Sequence, residues 1–457
     1  MIDTRHKARV VIGRQAVVVG AGLAGLTAAR VLADHFEQVI VLEGDVLPAS
    51  AAHRTGTPQS KHLHGLLPSG LNALNELSPG FSDDLDRGGA VPLRVGLDVR
   101  MERPGYDPFP QRDLGLVSRA MSRPLVDLIL RQHVSRCANV TLRQRCRVRQ
   151  LIASPDRSKV TGVQCENADG RAEIVPAELV ADASGRGTLT LNMLRACGLP
   201  APEESTIGVD IAYASAVFEI PDDAPADWKG VMVFGAIPHA ARGGSLLPLE
   251  DNRWIVSIGE AHSEGLPADA DGFLDCVREL RTPTIFNAIK GARRIGAIAR
   301  FRFPGSVRRH YERLSAFPRG LLPVGDALCR FNPLYGQGMT VAAQQACLIN
   351  QLLSILAADN DSDPLARLAP TFFNAAQALL ETPWAVANFD FIFPKTRGQR
   401  PVDLENMIRF GMALNRLAAQ DPTVHKLMVE VQMLLKPRSV YRDPDLLQRV
   451  AAVMASG

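Results

Sequence analysis

The run Val17-Val18-Val19-Gly20-Ala21-Gly22-Leu23-Ala24-Gly25-Leu26 constrains this chain more than any other stretch. A β-branched run stops at a glycine, G-x-G-x-x-G follows, and Leu26 to Leu32 carries apolar residues at helical spacing. Strand, tight turn and helix in that order open a dinucleotide-binding βαβ unit. Gly20 allows the turn, Gly22 lets backbone approach a pyrophosphate without an intervening Cβ, and Gly25 lets the helix sit close on the sheet. The helix N-terminus offers free N–H groups and its positive dipole end to phosphates. Gln38 to Leu42 reads as the next strand and ends at Glu43, about 20 residues beyond the glycines, where a carboxylate accepts hydrogen bonds from a ribose.

The rest of the chain is read around that unit. Its 457 residues allow two or three domains. A formal charge of +3 is too small to argue for nucleic acid or an anionic membrane surface. Seven scattered cysteines without a C-x-x-C pair argue against a disulfide framework or a zinc site, and a reducing, cytoplasmic setting is expected. Residues 1–14 are polar and basic, unlike a signal peptide, and no uninterrupted apolar run reaches about 18 residues, so no integral membrane segment is expected. The loop His53 to Gly65 holds His53, His62 and His64 without a carboxylate or thiolate spaced to complete a metal set, so no metal is expected. It reads as a solvated loop or as a loop over the cofactor.

Further along, Ser122-Arg123-Pro124 is an N-cap followed by proline in a first helical turn, opening a helix through Arg131. Val140–Leu151, Lys159–Cys165 and Glu178–Ala183 read as strands, the last running into Ser184-Gly185-Arg186-Gly187. From Ile207 to Gly259, four strand patterns (Ile207–Ile220, Val231–Ile237, Gly244–Leu249, Arg253–Gly259) follow one another without a helix between them, which predicts an antiparallel sheet. Asp271–Leu280 reads as a helix and Arg294–Phe303 as a returning strand. Leu321 to Val324 is a buried-type strand ending in Gly325-Asp326, and Asn332 to Met339 is a turn opening a helix from Thr340 to about Leu356. The fold class is therefore α/β: a Rossmann-like domain (14–90, 118–195 and 296–360), an inserted, mainly antiparallel substrate sheet (91–117 and 196–295) and a C-terminal helical segment (361–457).

Taken together, four separated motifs make the chain resemble the single-domain-FAD monooxygenases, the fold shared by aromatic hydroxylases, squalene epoxidase and flavin halogenases. They are Gly20-x-Gly22-x-x-Gly25 with Glu43; Arg123 opening a helix; Asp182-Ala183-Ser184-Gly185-Arg186-Gly187; and Gly325-Asp326 with Asn332-Pro333-Leu334-Tyr335-Gly336-Gln337-Gly338-Met339. With His53-Arg54-x-Gly56-x-Pro58-Gln59-x-x-His62-x-His64 and Pro383-Trp384, the pattern is most similar to flavin-dependent epoxidases of polyether biosynthesis. The resemblance implies FAD. Gly20, Ala21, Gly22, Leu23, Ala24 and Gly25 would pack on its pyrophosphate, and Glu43 would hold the adenosine ribose. Arg54 and Arg123 would meet the phosphate or ribityl side, Val148 the adenine through its backbone, and Asp326 the ribityl or pyrophosphate region. Pro333, Gly336, Gln337, Gly338 and Met339 would lie along the isoalloxazine edge. Read alone, the two arginines suit surface ion pairs and Asp326 suits a helix cap.

The resemblance further implies transfer of one oxygen atom from a flavin C4a-hydroperoxide, formed with O₂, to a small apolar organic substrate, most simply an alkene in secondary metabolism. Val231, Val233, Phe234, Trp254, Val256 and Ile258 are the expected apolar wall for it, unless they are sheet core. Epoxidation requires no side-chain acid or base, so no catalytic residue is named. Phenol-type hydroxylation, a reductase or dehydrogenase of the geranylgeranyl-reductase type, and a non-enzymatic flavoprotein are the alternatives. Two departures from family patterns matter. Asp182-Ala183-Ser184-Gly185 stands where aromatic hydroxylases that dock NADPH carry Asp-Gly, so NAD(P)H is expected as electron donor either directly or through a partner flavin reductase. Trp228, Trp254 and Trp384 are too far apart for the halogenase W-x-W-x-I-P motif.

Overall fold

Alternation of side chains along one strand explains the central layer. The computed structural model describes residues 11–236, 241–263, 265–359 and 363–455, so residues 1–10 of the basic N-terminal stretch and Ile237 lie outside the described residues. Strand β1 is Gly13–Val19, helix α1 Leu23–His35 and strand β2 Phe36–Leu42. Further on come helix α2 (Arg123–Ser135) and strands β3 (Val140–Arg143), β4 (Leu179–Asp182) and β5 (Leu321–Pro323). The five strands form one parallel sheet in the order β5-β4-β1-β2-β3. In β1, Ala16 and Val18 point to one face and Val17 and Val19 to the other, and all four are buried. The first face is covered by α1 and by helix α3 (Gly338–Ala358), with Leu26, Leu322 and Leu353 in one core. The second is covered by a three-stranded antiparallel sheet (Arg147–Ala153, Val160–Glu166, Ala172–Pro176), with Val163, Val180 and Leu321 in another.

Register brings the site together. Val19 lies opposite both Leu42 and Asp182, Asp182 opposite Pro323, and Leu42 opposite Arg143. The strands thus end level, and Gly20, Glu43, Ala183 and Val324 all leave along one edge. In open parallel sheets the crevice outside the carboxyl ends of the strands is the ligand-binding position.

Four expectations change. Ile207–Ile220 divides at Asp210, which takes a positive φ of 43°, into Glu204–Gly208 and Ile211–Glu219, strands of different sheets. Val140–Leu151 is two strands, β3 and Arg147–Ala153, in different sheets. The chain breaks between them because Arg145 takes a positive φ of 55°, and Arg145 and Cys146 donate their N–H groups to the carbonyls of Asp45 and Glu43. Arg294–Phe303 is an edge strand of the six-stranded sheet, so the boundary expected at residue 296 falls inside it. The C-terminal helices divide: Pro364–Ala387 packs Leu368, Phe372 and Phe373 into the core over the parallel sheet, while the helices from Leu404 onward gather around Phe109, Leu414, Met428 and Val450. Helix α3 is long and apolar enough to cross a membrane by length and composition, yet its buried side chains pack on α1, Pro68–Leu77 and Pro364–Ala387.

The second layer is a six-stranded sheet in the order Arg294–Phe303, Ile211–Glu219, Arg253–Ala261, Arg242–Leu249, Gly230–Val233, Val99–Glu102, antiparallel except at the last pair.

Candidate functional site at the strand ends

A cavity of about 520 Å³ opens at the level strand ends. Gly20, Gly22, Leu23 and Ala24 form one wall, Glu43 and Arg54 the next, and Cys146, Arg147 and Val148 the far end. Ala183 to Arg186, Gly325 and Asp326 form the opposite wall, with Arg123, Gly338, Met339 and Ala342 beside it. Thr57 and Gln59 bring the histidine-rich loop to its edge. Of the sixteen residues expected at a cofactor site, the structure brings eleven to this wall and leaves five off it. Ala21 is buried and donates its N–H to Glu43 Oε2 at 2.8 Å. Gly25 sits where an added Cβ would lie 1.9 Å from the Gly20 carbonyl oxygen, so it seats the helix. Pro333 is exposed, Gly336 rests against the loop at Gly65 and Leu67, and Gln337 is 2% exposed. These three support the first turn of α3 from behind.

The charges on the wall are organised. Arg54 Nη1 lies 2.9 Å from Glu43 Oε2 and 3.3 Å from Asp45 Oδ2, and its Nη2 donates to the Ala21 carbonyl at 3.2 Å. Burial alone would raise the Glu43 pKa, but the Arg54 charge and the N–H groups of Asp45 and Ala21 outweigh it and hold the carboxyl below its ordinary value. Arg123 opens α2, whose N-cap Ser122 accepts from Leu125 N–H at 3.3 Å, and Arg123 Nε meets Asp127 Oδ1 at 2.8 Å. Both arginines therefore make ion pairs while facing the cavity. Asp326 is open to the cavity, yet the protein around it pushes its carboxyl up, against the pull of Arg330, Arg123 and Arg309. Gly325 N–H donates to Gln345 Oε1 at 2.7 Å, which ties this turn to α3. Asp182 reaches no ligand space: its carboxylate accepts from Ser184 N–H and Oγ–H and from Thr190 N–H and Oγ–H, at 2.6–3.1 Å.

Ser184, Arg186, Thr188, Leu189, Arg147 and Cys146 are cavity residues that the motif reading passed over. The turn after Asp182 was visible as a motif, but which of its side chains face inward depends on the Asp182 hydrogen bonds. Arg147 and Cys146 arrive from the chain break after β3, for which no local signal stands out.

The histidines are occupied singly. His53 Nδ1 meets Ser60 Oγ at 2.9 Å, His62 Nδ1 meets Ser215 Oγ at 2.8 Å, and His64 Nδ1 meets the His62 carbonyl at 2.9 Å. Burial drives the His62 pKa down to about 4 and that of His64 to about 3. Among the described residues no three His, Cys, Asp or Glu side chains gather as a metal set. Ser215 in turn meets Ser257 Oγ at 2.5 Å, and Leu63 N–H donates to Ser257 at 3.2 Å. Tyr213 shares a strand face with Ser215, and Gly259 with Ser257. The face of the six-stranded sheet that meets the histidine-rich loop is therefore mixed: Ser215 and Ser257 bond to the loop, while Ile255 and Leu247 pack with Leu63 and the rings of Tyr213 and Phe301 lie 6.4 and 5.7 Å from His62.

The apolar wall expected of that sheet turns the other way. Val231, Val233, Trp254, Val256 and Ile258 pack behind it against Phe273 and Val277 of Ala270–Arg278 and Ile285 of Thr284–Ile289. Phe234 is 39% exposed, with the Arg103 guanidinium 5.1 Å from its ring centre. These five residues are sheet core because the two helices need an apolar surface to cover.

No family model matches the chain. Protein Rv3254 of Mycobacterium tuberculosis is 34% identical over 356 residues, spanning 72% of this chain and 71% of its own length. The chain belongs to the family of Rv3254. Among solved structures it is similar to the flavin-dependent brominase Bmp2 (TM-score 0.66, 14% identity, 97% of this chain and 98% of that one). It is likewise similar to the myxobacterial chondrochloren halogenase CndH (0.61, 18%, 92% and 96%) and to the Pseudomonas aeruginosa monooxygenase PqsL (0.59, 16%, 84% and 98%). At these identities the likeness establishes the fold, which this chain shares with those flavin-dependent proteins.

Proposed function

We propose that this chain is an FAD-dependent oxidoreductase of the oxygenase type, a monooxygenase acting on a small organic molecule. The observation that carries the reading is the single cavity lined at once by the Gly20–Ala24 turn, Glu43, Asp326 and the first turn of α3. The residues fit the cofactor: a Cβ added at Gly22 or Gly338 would meet nothing within 4 Å, so both backbones stand bare to the cavity. The N–H groups of the first turn of α1 would hold the pyrophosphate, Glu43 a ribose, and Arg54 and Arg123 would balance phosphate charge. Asp326 would bind ribityl hydroxyls, and Val148 would meet adenine. The first turn of α3 would stabilise negative charge on the N1–C2=O edge of the reduced ring. The loop around Thr57 and Gln59 would limit water entry. When bound, the flavin supplies activation of O₂ and delivery of one of its oxygen atoms.

For the substrate, the resemblance to polyether epoxidases rests on motifs around the cofactor and still supports alkene epoxidation. Support from Val231, Val233, Trp254, Val256 and Ile258 is gone, since those residues are core behind the sheet. The hydrogen-bonded row His62–Ser215–Ser257 favours a second reading, phenol-type hydroxylation, which needs a relay for the substrate proton. The test is turnover of purified, FAD-loaded protein with a reductase, on panels of polyenes and phenols under ¹⁸O₂. One labelled oxygen atom per product molecule is expected. Oxidised flavin cycling with no oxygenated product from either panel would overturn the monooxygenase reading, and incorporation of added bromide or chloride would replace it with halogenation.

A further inference from the structure

Behind the first turn of α3 lies a buried polar junction of four parts of the chain. Asn332 is fully buried and is its hub. Its Oδ1 accepts from the Tyr213 hydroxyl of the six-stranded sheet at 2.8 Å and from Leu334 N–H at 3.1 Å. Its backbone N–H donates to Ser306 Oγ at 3.0 Å. Its Nδ2 donates to both oxygens of Asp390, at 3.0 and 3.2 Å, and Tyr335 adds its hydroxyl to Asp390 Oδ1 at 2.7 Å. Asp390 comes from the segment after helix Pro364–Ala387 and is 1% exposed.

That segment is anchored by its own backbone carbonyls, whereas the turn is held at Asn332 and Tyr335 with an exposed middle. Arg400 gathers the carbonyls of Phe391, Phe393, Pro394 and Thr396, and Thr396 Oγ1 donates to the Asp390 carbonyl at 2.7 Å. Phe391 is buried against Ile207 and Ala387. By contrast, Pro333 and Leu334 of the turn are exposed, Leu334 by 56%. The turn is held through Asn332 by Tyr213, Ser306 and Asp390, and Asp390 is the one group that receives donors from both Asn332 and Tyr335. Among the described residues no arginine, lysine or histidine is paired with Asp390. A buried carboxylate without a cation is costly, so its retention calls for a role.

We infer that Asp390 is a positioning residue for the cofactor: it fixes the Asn332–Tyr335 turn and so sets where Gly338 and Met339 meet the ring end of the cavity. This rests on the FAD reading above. Carboxylate, Asn332 amide and Tyr335 hydroxyl act as one clamp, because loss of either donor leaves a buried acceptor unsatisfied.

The test uses the full chain reconstituted with FAD: wild type, Asp390→Ala, Asp390→Asn, Tyr335→Phe, and Val277→Ala as a destabilised control from the core behind the six-stranded sheet. The readouts are the FAD Kd, the midpoint potential, the visible circular dichroism of the bound flavin, and amide exchange at Leu334 and Gly336 without FAD. Asp390→Ala should bind FAD about tenfold more weakly, the loss expected from one broken buried hydrogen bond. It should also shift the potential and the flavin dichroism and speed exchange at Leu334 and Gly336. Asp390→Asn and Tyr335→Phe should move the same readouts less, and carry the test if the alanine variant does not fold. Val277→Ala should lower Tm with a wild-type flavin signature. Wild type that binds no FAD overturns the flavin reading and this role with it. Wild type that binds FAD, beside Asp390 variants with unchanged Kd, potential and dichroism, overturns the positioning role alone, whatever their Tm.

Discussion

Gly22 and Gly25 stand three residues apart in one motif and should fail in opposite ways. A side chain at Gly22 enters open cavity, whereas a Cβ at Gly25 collides with the Gly20 carbonyl oxygen at 1.9 Å and comes 3.4 Å from Ala183 Cβ. Gly22→Val should therefore keep the wild-type Tm and lose FAD, because the branched chain occupies the pyrophosphate space. Gly25→Val should lose stability by about 3 kcal/mol or more, since backbone on both sides of the contact must move. Calorimetry with FAD titration checks both, and a Gly22→Val protein with full flavin affinity would refute the pyrophosphate assignment. Asp390 gives a second residue-scale prediction. Burial pushes its carboxyl up to about 6 from 3.8, against the hydrogen bonds of Tyr335 and Asn332. Between about pH 4 and 6 the folded chain holds a proton that the unfolded chain has released, so stability falls as pH rises through this window and levels off above it. The drop is on the order of 3 kcal/mol, and Asp390→Asn should remove it. Denaturant unfolding across this range checks it, and a flat wild-type-minus-variant difference would refute it. The glycine motif was legible because its geometry is local. Asp390 was not, because its partner Asn332 is 58 residues away and nothing beside it in the chain marks it.

At the scale of elements, alternation along the strands of the six-stranded sheet was readable, but period two names two faces without saying which one turns inward. The face with Trp254, Val256 and Ile258 went to the helices Ala270–Arg278 and Thr284–Ile289, and the mixed face with Ser215, Ser257 and Ile255 went to the histidine-rich loop. Truncations should separate the two. Trp254→Ala, 3% exposed and stacked 5.9 Å from Trp228, should cost about 3–5 kcal/mol. Ser257→Ala should cost under about 1.5 kcal/mol while altering substrate KM or kcat. Equal stability losses with unchanged kinetics would mean that this face does not meet substrate. The N-terminus of α3 makes a second element-scale prediction. Gly338→Asp places a carboxylate in open space at a helix start, where folding tolerates it. Like charge beside a ring that becomes anionic should lower the flavin potential and release more peroxide per product. A folded, FAD-loaded variant with unchanged potential and coupling would mean that the turn is only a connector.

At the scale of the whole molecule, the question is how electrons arrive. A second cavity, of about 550 Å³, is lined by Arg14, Gln38, Lys159, Glu178 and Arg319, all at or near the N-terminal ends of strands. The strand-end cavity lies at the other ends, and the seven residues of β1 separate the two by roughly 23 Å. A nicotinamide held in the second cavity would be far outside the approximately 3–3.5 Å at which reacting atoms must meet. At the strand-end cavity, the Asp182 carboxylate is already filled by Ser184 and Thr190, which leaves the Asp182–Gly185 turn no free acid for a nicotinamide cofactor. NAD(P)H alone should therefore reduce the bound flavin slowly, and free reduced flavin or a reductase should raise turnover well above that rate. Anaerobic stopped-flow reduction, compared with steady-state product formation, measures both quantities on one preparation. Reduction by NADPH without any partner, at a rate equal to turnover, would show that a nicotinamide reaches the ring by a route these two cavities do not provide.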